Sequence, residues 1–289
     1  MGSSNLSRFA WLSILAAVLT ISLKTVAYLY TGSVGLLSDA LESLINLVAA
    51  VIALMTLKIA AQPPDEEHAF GHDKVEYFSS GIEGTLIFLA ALSIGYAAIQ
   101  RILAPQPLEQ LGIGILVSGI ATAINFFVAY ILLQAGKKHH SLVLEADGHH
   151  LLTDVWTSIG VVIGVGLVSV TGWLVLDPIV AILVALNITW TGYDLIRRSV
   201  LGLMDTAVAP ELQDEAKKIL QHYVEKDGID YQDFRSRQSG TKKFFYVNIL
   251  VPDDWTVHKG HELVDTIELE IQKQITNSVV FTHLEPLEK

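Results

Sequence analysis

The 289-residue sequence contains no cysteine. That excludes disulfides and thiolate ligands, so any metal this chain holds must sit on His, carboxylate or amide donors. Charge is scarce as well: Asp, Glu, Lys and Arg make up 17% of the residues, against 51% hydrophobic. So little charge cannot coat an ordinary soluble surface. The balance of −11 also lacks the basic footprint that a phosphate backbone requires, which argues against nucleic acid as a partner. No HExxH motif occurs, so nothing places a general base beside paired metal ligands as in a zinc hydrolase. The sequence reads as neither an enzyme nor a carrier of a resident cofactor.

What the sequence does have is long apolar runs. Spanning a bilayer takes roughly 20 mostly apolar residues. Six stretches qualify, at about Phe9–Tyr30, Val34–Leu57, Phe78–Leu103, Leu111–Gln134, Leu142–Val170 and Leu174–Ile196. The first is too long for a signal peptide and has no small-residue cleavage site, so it reads as a retained span. Residues 1–204 are therefore expected to form a six-span, all-helical membrane domain, and residues 205–289 a small soluble one. Arg8, Lys58, Lys74, Lys137, Lys138, Arg197 and Arg198 fall on the side that holds both termini. The positive-inside rule makes that side cytoplasmic.

Ionisable groups inside these spans are the functional candidates, because burying them in hydrocarbon is costly. In the fifth span Asp147, His150 and Asp154 are spaced three and four apart and share one helix face. Asp39, Glu42 and Asn46 repeat that spacing in the second. The two spans run antiparallel, and stacking the faces brings Glu42 beside Asp154 and Asn46 beside His150. At 1.5 Å rise per residue the four fall within about one turn in depth. Glu42, Asn46, His150 and Asp154 thus make a plausible cage for a divalent cation near the membrane middle. The structural alternative is a pair of polar stripes that hydrogen-bond two helices together. Glu83 in the third span and Asn125 in the fourth read as packing or pathway groups.

After the second span, Asp65, His68 and His72 repeat the three-then-four spacing in a loop that follows Pro63-Pro64. This is a second candidate cation site, weighed against a solvated loop with scattered polar groups. Lys137–His140 reads as a short basic loop. The soluble part reads α-β-β-α-β, an α+β sandwich with its helices on one face of a small sheet. Its metal-capable groups are His258, His261, His283 and Glu285.

The stretches GSVGLLSDALESL, HAFGHDKVEYFSS, ADGHHLLTD and RSRQSG resemble the cation diffusion facilitator family, in its bacterial zinc, iron and manganese efflux branch. The resemblance covers nearly the whole chain. It implies a six-span homodimer in the inner membrane, with a ferredoxin-like cytoplasmic domain, that exports a divalent metal against inward proton flow. Carried over residue by residue, the transport site lands on Glu42, Asn46, His150 and Asp154, with Asn46 where the branch commonly has Asp. The loop site lands on Asp65, His68 and His72. In the soluble domain His261 and His283 match, Glu285 stands for an Asp, and Gln232 and Asn248 occupy positions where His is frequent. Lys74 and Asp205 match an inter-subunit charge interlock. The metal is thereby substrate and a possible regulatory ligand, and protons are the counter-ion. A non-transporting metal sensor or scaffold of the same family is the alternative.

Overall fold

The computed structural model describes residues 6–31, 34–104 and 112–287; the side chains at positions 30, 31, 34–42, 45, 112–115, 161, 165 and 169 lie outside the described set. Two compact units divide the chain, Met1–Val200 and Leu201–Lys289.

In the first unit the apolar runs become α1 (Ser7–Thr31), α2 (Val34–Ala60), α3 (Val75–Leu103), α4 (Gly112–His139), α5 (Leu142–Thr171) and α6 (Leu176–Leu203). Hydrocarbon offers the backbone no hydrogen-bond partner, so each segment pairs its own N–H and C=O groups as a helix. Among the described residues α1, α3, α4, α5 and α6 are long and apolar enough to cross a membrane, and α2 is apolar over Asn46–Ala60. Leu89, Phe127, Leu183 and Trp190 lie exposed on the outside, while Asn46, Glu83, Asn125 and Asp147 are buried. This distribution suits a molecule whose surroundings are lipid.

Small residues set the packing. Ala10 and Ala16 of α1, Ala53 of α2 and Ala129 of α4 interleave with Leu57, Leu132 and Leu144 in one core. Between α3 and α6 the backbones themselves touch. A Cβ at Gly192 would lie 2.8 Å from the Phe88 nitrogen and 2.9 Å from the Gly84 oxygen. The two helices are antiparallel and stitched at both ends. Arg101 reaches Asp177 at 3.1 Å, and the Ser199 hydroxyl donates to the Tyr77 carbonyl.

One boundary differs from the sequence expectation. Lys137, Lys138 and His139 are not a loop: α4 continues through them, and they form its last turn. Cations there complement the negative end of the helix dipole, so the polar run extends the helix. The turn falls at His140, whose φ is 55°.

The second unit follows the expected α-β-β-α-β order: α7 (Pro210–Asp227), β1 (Asp230–Ser239), β2 (Lys242–Val251), α8 (Val257–Gln274) and β3 (Ser278–Pro286). The sheet order is β1-β2-β3, with β1 antiparallel and β3 parallel to β2. Phe245, Val247 and Ile249, at alternate positions of β2, pack against Leu220 of α7 and Ile267 and Ile271 of α8. Both helices therefore cover one face. On the other, Tyr246 stacks on Phe281 with ring centroids 5.0 Å apart, and Gln232, Asn248 and His283 align across the three strands.

The glycine contact between α3 and α6 generates a stability prediction. Gly192→Ala should force the helices apart and cost about 1–3 kcal/mol. Gly119→Ala, where a Cβ meets nothing within 4 Å, should be neutral or slightly stabilising. Thermal unfolding of the two variants in one detergent makes the comparison.

Candidate metal centres

The polar stripe of α5 meets α2 and α4 inside the bundle. Asn46 of α2 holds both partners: its Nδ2 donates to Asp154 Oδ2, and its Oδ1 lies 2.7 Å from His150 Nε2. A contact with an amide oxygen places the proton of a neutral imidazole on Nε2. His150 Nδ1 is buried and, among the described residues, without a hydrogen-bond partner, a lone pair that could face a cation. Asn125 of α4 adds a second amide, donating to Asp154 Oδ2 at 3.1 Å. The structure thus brings together Asn46, His150 and Asp154. The Glu42 side chain, like that of Asp39, lies outside the described residues. Asn125 is the addition: as a single Asn in an apolar span it had no periodic partner to mark it, and only the α4–α5 packing reveals its role.

Two contacts fix the lower end of α5. Ser141, its N-cap, donates to Glu76 Oε2 of α3 at 2.6 Å. Glu76 also accepts from the backbone N–H groups of Leu142 and Val143, so a carboxylate from another helix caps α5. One turn further on, Arg198 of α6 binds Glu145 at 2.6 Å. A helix held at its foot by α3 and α6 presents His150 and Asp154 at a defined height.

The loop trio also converges. Asp65 Oδ1 accepts from the His68 backbone N–H at 2.6 Å and lies 3.2 Å from His68 Nδ1, while Oδ2 lies 3.2 Å from His72 Nε2. The His68 and His72 rings are 4.4 Å apart. Among the described residues this is the one group of three His, Asp or Glu ligand atoms that lie within 4.8 Å of one another. The three-then-four spacing achieves this without a helix, because Asp65 folds the loop back onto His68. That backbone hydrogen bond, reinforced by the two imidazoles, holds the Asp65 carboxyl below its ordinary range.

In the second unit the candidates separate. Glu285 accepts from Gln232 Nε2 at 2.7 Å and from Asn248 Nδ2 at 2.9 Å, with His283 Nε2 at 3.8 Å. His261 instead faces Asp265 on its own helix at 3.2 Å, and His258 faces Glu262 at 3.4 Å. Within the described chain, His261 does not join His283 and Glu285 in one cluster. Asp205 takes a left-handed conformation at φ 57° and binds Arg237 at 3.1 Å. Lys74 sits at the N-cap of α3.

A bundle of apolar helices with polar donors gathered inside it, followed by a small α/β domain, is the architecture of a multi-pass membrane protein with a soluble appendage. Residues 10–204 match the cation efflux transmembrane domain, and residues 208–287 the cytoplasmic domain of cation efflux proteins. The chain belongs to the cation diffusion facilitator family of cation efflux transporters, and is a multi-pass membrane protein. An uncharacterized transporter of Synechocystis sp. is 51% identical over 281 residues, covering 97% of this chain and 90% of that protein. The cation-efflux pump FieF of Citrobacter koseri is 28% identical, covering 97% of this chain and 92% of the pump. FieF of Shewanella oneidensis is 26% identical, covering 96% and 92%.

The depressed Asp65 carboxyl makes the loop pH-sensitive in a stated direction. Stabilisation from a lowered carboxyl is complete above its ordinary pKa and is lost as pH falls through the depressed one. Asp65→Ala should therefore speed amide hydrogen exchange at His68 severalfold at neutral pH. Variant and parent should converge only in strong acid.

Proposed function

We propose that this transporter exports a divalent cation of the Zn2+, Fe2+ or Mn2+ class across the inner membrane by alternating access, in exchange for protons. The observation that carries the reading is the meeting of Asn46, His150 and Asp154 inside the bundle, with an imidazole nitrogen left unpartnered. Amide, imidazole and carboxylate are borderline donors that suit first-row divalent ions. Glu42 completes the set and supplies the second negative charge, so that one M2+ is neutralised where residual charge is expensive. The FieF relatives are cation-efflux pumps, which supports the outward direction.

The same residues couple metal to protons. An imidazole ligates only when neutral, so arrival of the cation and protonation of His150 exclude one another. A site open to the outside takes up protons and releases metal, and one open to the inside does the reverse. Two copies of the chain work as a homodimer with both termini cytoplasmic, and Lys74 and Asp205 form the charge interlock between subunits. Asp65, His68 and His72 bind a regulatory cation; in the soluble domain His283 and Glu285 are the remaining pair of donors, with His261 set apart on α8 beside Asp265. In that pair two amides from Gln232 and Asn248 already occupy Glu285.

Metal uptake into proteoliposomes with an imposed pH gradient tests this. Asp154→Ala should abolish transport while the protein still folds, and should weaken metal binding by more than the ~10–100-fold that loss of an outer-shell partner costs. Metal uptake that neither responds to the pH gradient nor dissipates it would remove the exchange for protons and leave the metal site standing.

Asn46→Asp adds a charge and a group for which protons compete with metal. Affinity should tighten roughly tenfold, ~1.4 kcal/mol, with a steeper pH dependence of uptake and a shifted metal preference in a competition panel. If none of the three changes, Asn46 is not a ligand.

A further inference from the structure

One turn from the metal cluster lies a second set of polar groups, built from α1, α3 and α5. Asp147 of α5 and Glu83 of α3 are each only 1% exposed. Each has one carboxyl oxygen held by a serine: Ser13 of α1 donates to Asp147 Oδ1 at 3.1 Å, and Ser79 donates to Glu83 Oε1 at 3.4 Å. The other oxygen of each, Asp147 Oδ2 and Glu83 Oε2, is buried with no hydrogen-bond partner among the described residues. The two acids interact electrostatically, and among the described residues Ser13, Ser79 and each other are the partners the structure gives them. The other acid nearby, Glu145, is turned to Arg198.

Two ionised carboxylates cannot share such a place. Among the described residues neither has a cation beside it and each lacks a donor on one oxygen, and like charges in an apolar interior repel strongly. A protonated carboxyl has neither problem, since it is neutral and brings its own O–H. A first-row divalent cation is better served by the neighbouring cluster, which offers an imidazole, whereas no nitrogen ligand adjoins the two acids among the described residues.

We infer that Glu83 and Asp147 form a proton-binding carboxyl pair, separate from the metal ligands, which yields a proton to water when the neighbouring cluster takes up its cation. Asp147 is three residues from His150, roughly 4.5 Å along the helix axis. A divalent charge held on the next turns of the same helix favours the ionised form of a carboxyl. This last part rests on the reading of Asn46, His150 and Asp154 as a cation site; the proton pair itself does not.

Infrared spectroscopy of the full-length protein in lipid nanodiscs reads the pair directly. At neutral pH the protein should show a protonated-carboxyl C=O band that shifts in D2O and disappears on alkalinisation. Glu83→Gln and Asp147→Asn should each diminish it, and Asp154→Ala should leave it. Absence of the band from the wild-type protein, or its persistence in both pair variants, overturns the inference even if one variant fails to fold. Equilibrium dialysis against Zn2+ should give Glu83→Gln the wild-type number of ions per protomer; one ion fewer would make the pair a metal site and overturn the proton assignment. In weak buffer, Zn2+ binding should release about one proton fewer per ion from Glu83→Gln than from the parent, and equal release would overturn the coupling. Failure of Asp154→Ala to lose a Zn2+ ion would instead sink the cation site, with the carboxyl band unaffected.

Discussion

A carboxylate inside an apolar bundle has to be met by donors, and the membrane unit is arranged around how Asp154 is met. Water is not there to solvate it. Asn46 from α2 and Asn125 from α4 both donate to the same oxygen. Three helices are thereby fixed in rotation and depth by one acceptor. The lower contacts of α5 with Glu76 and Arg198 serve the same end, holding the helix that carries the acceptor. Apolar packing brings these helices together, but it is indifferent to register; the polar contacts choose it.

Much of this was legible in the sequence, and for physical reasons. A helix returns to the same face every three or four residues, so Asp147, His150 and Asp154 declared a stripe and Asn46 declared its counterpart. Hydrophobic length gave the spans, and alternation in KFFYVNILV gave the central strand. Asn125 was not legible as a neighbour of Asp154, because a lone polar residue carries no period and its partner depends on how α4 is rotated. The end of α4 was also missed: Lys137, Lys138 and His139 look like a loop by composition, yet serve as a helix terminus. At Glu285, strand pairing sets Gln232 and Asn248 across from His283, a row that shows only once the register is known.

The two units put polar groups to different use. In the soluble one, Gln232 and Asn248 each donate to an oxygen of Glu285, and His261 and His258 settle with acids of their own helix. In the membrane unit satisfaction is incomplete among the described residues: His150 Nδ1, Asn125 Oδ1 and one oxygen each of Glu83 and Asp147 are buried without partners there. Native interiors rarely leave such groups unmet. Unmet polar atoms that cluster along the α5 face describe a surface prepared for something that comes and goes.

The double acceptance at Asp154 also has a mechanical side. One oxygen anchors α2 and α4 to α5, so it works as a latch with two hooks. Any cation that draws that oxygen away competes with both hooks at once. On the transport reading proposed above, the amides tie the bundle in one state and the cargo ties it in the other. Exchange of one tie for the other gives the helices a moment of freedom that neither end state has.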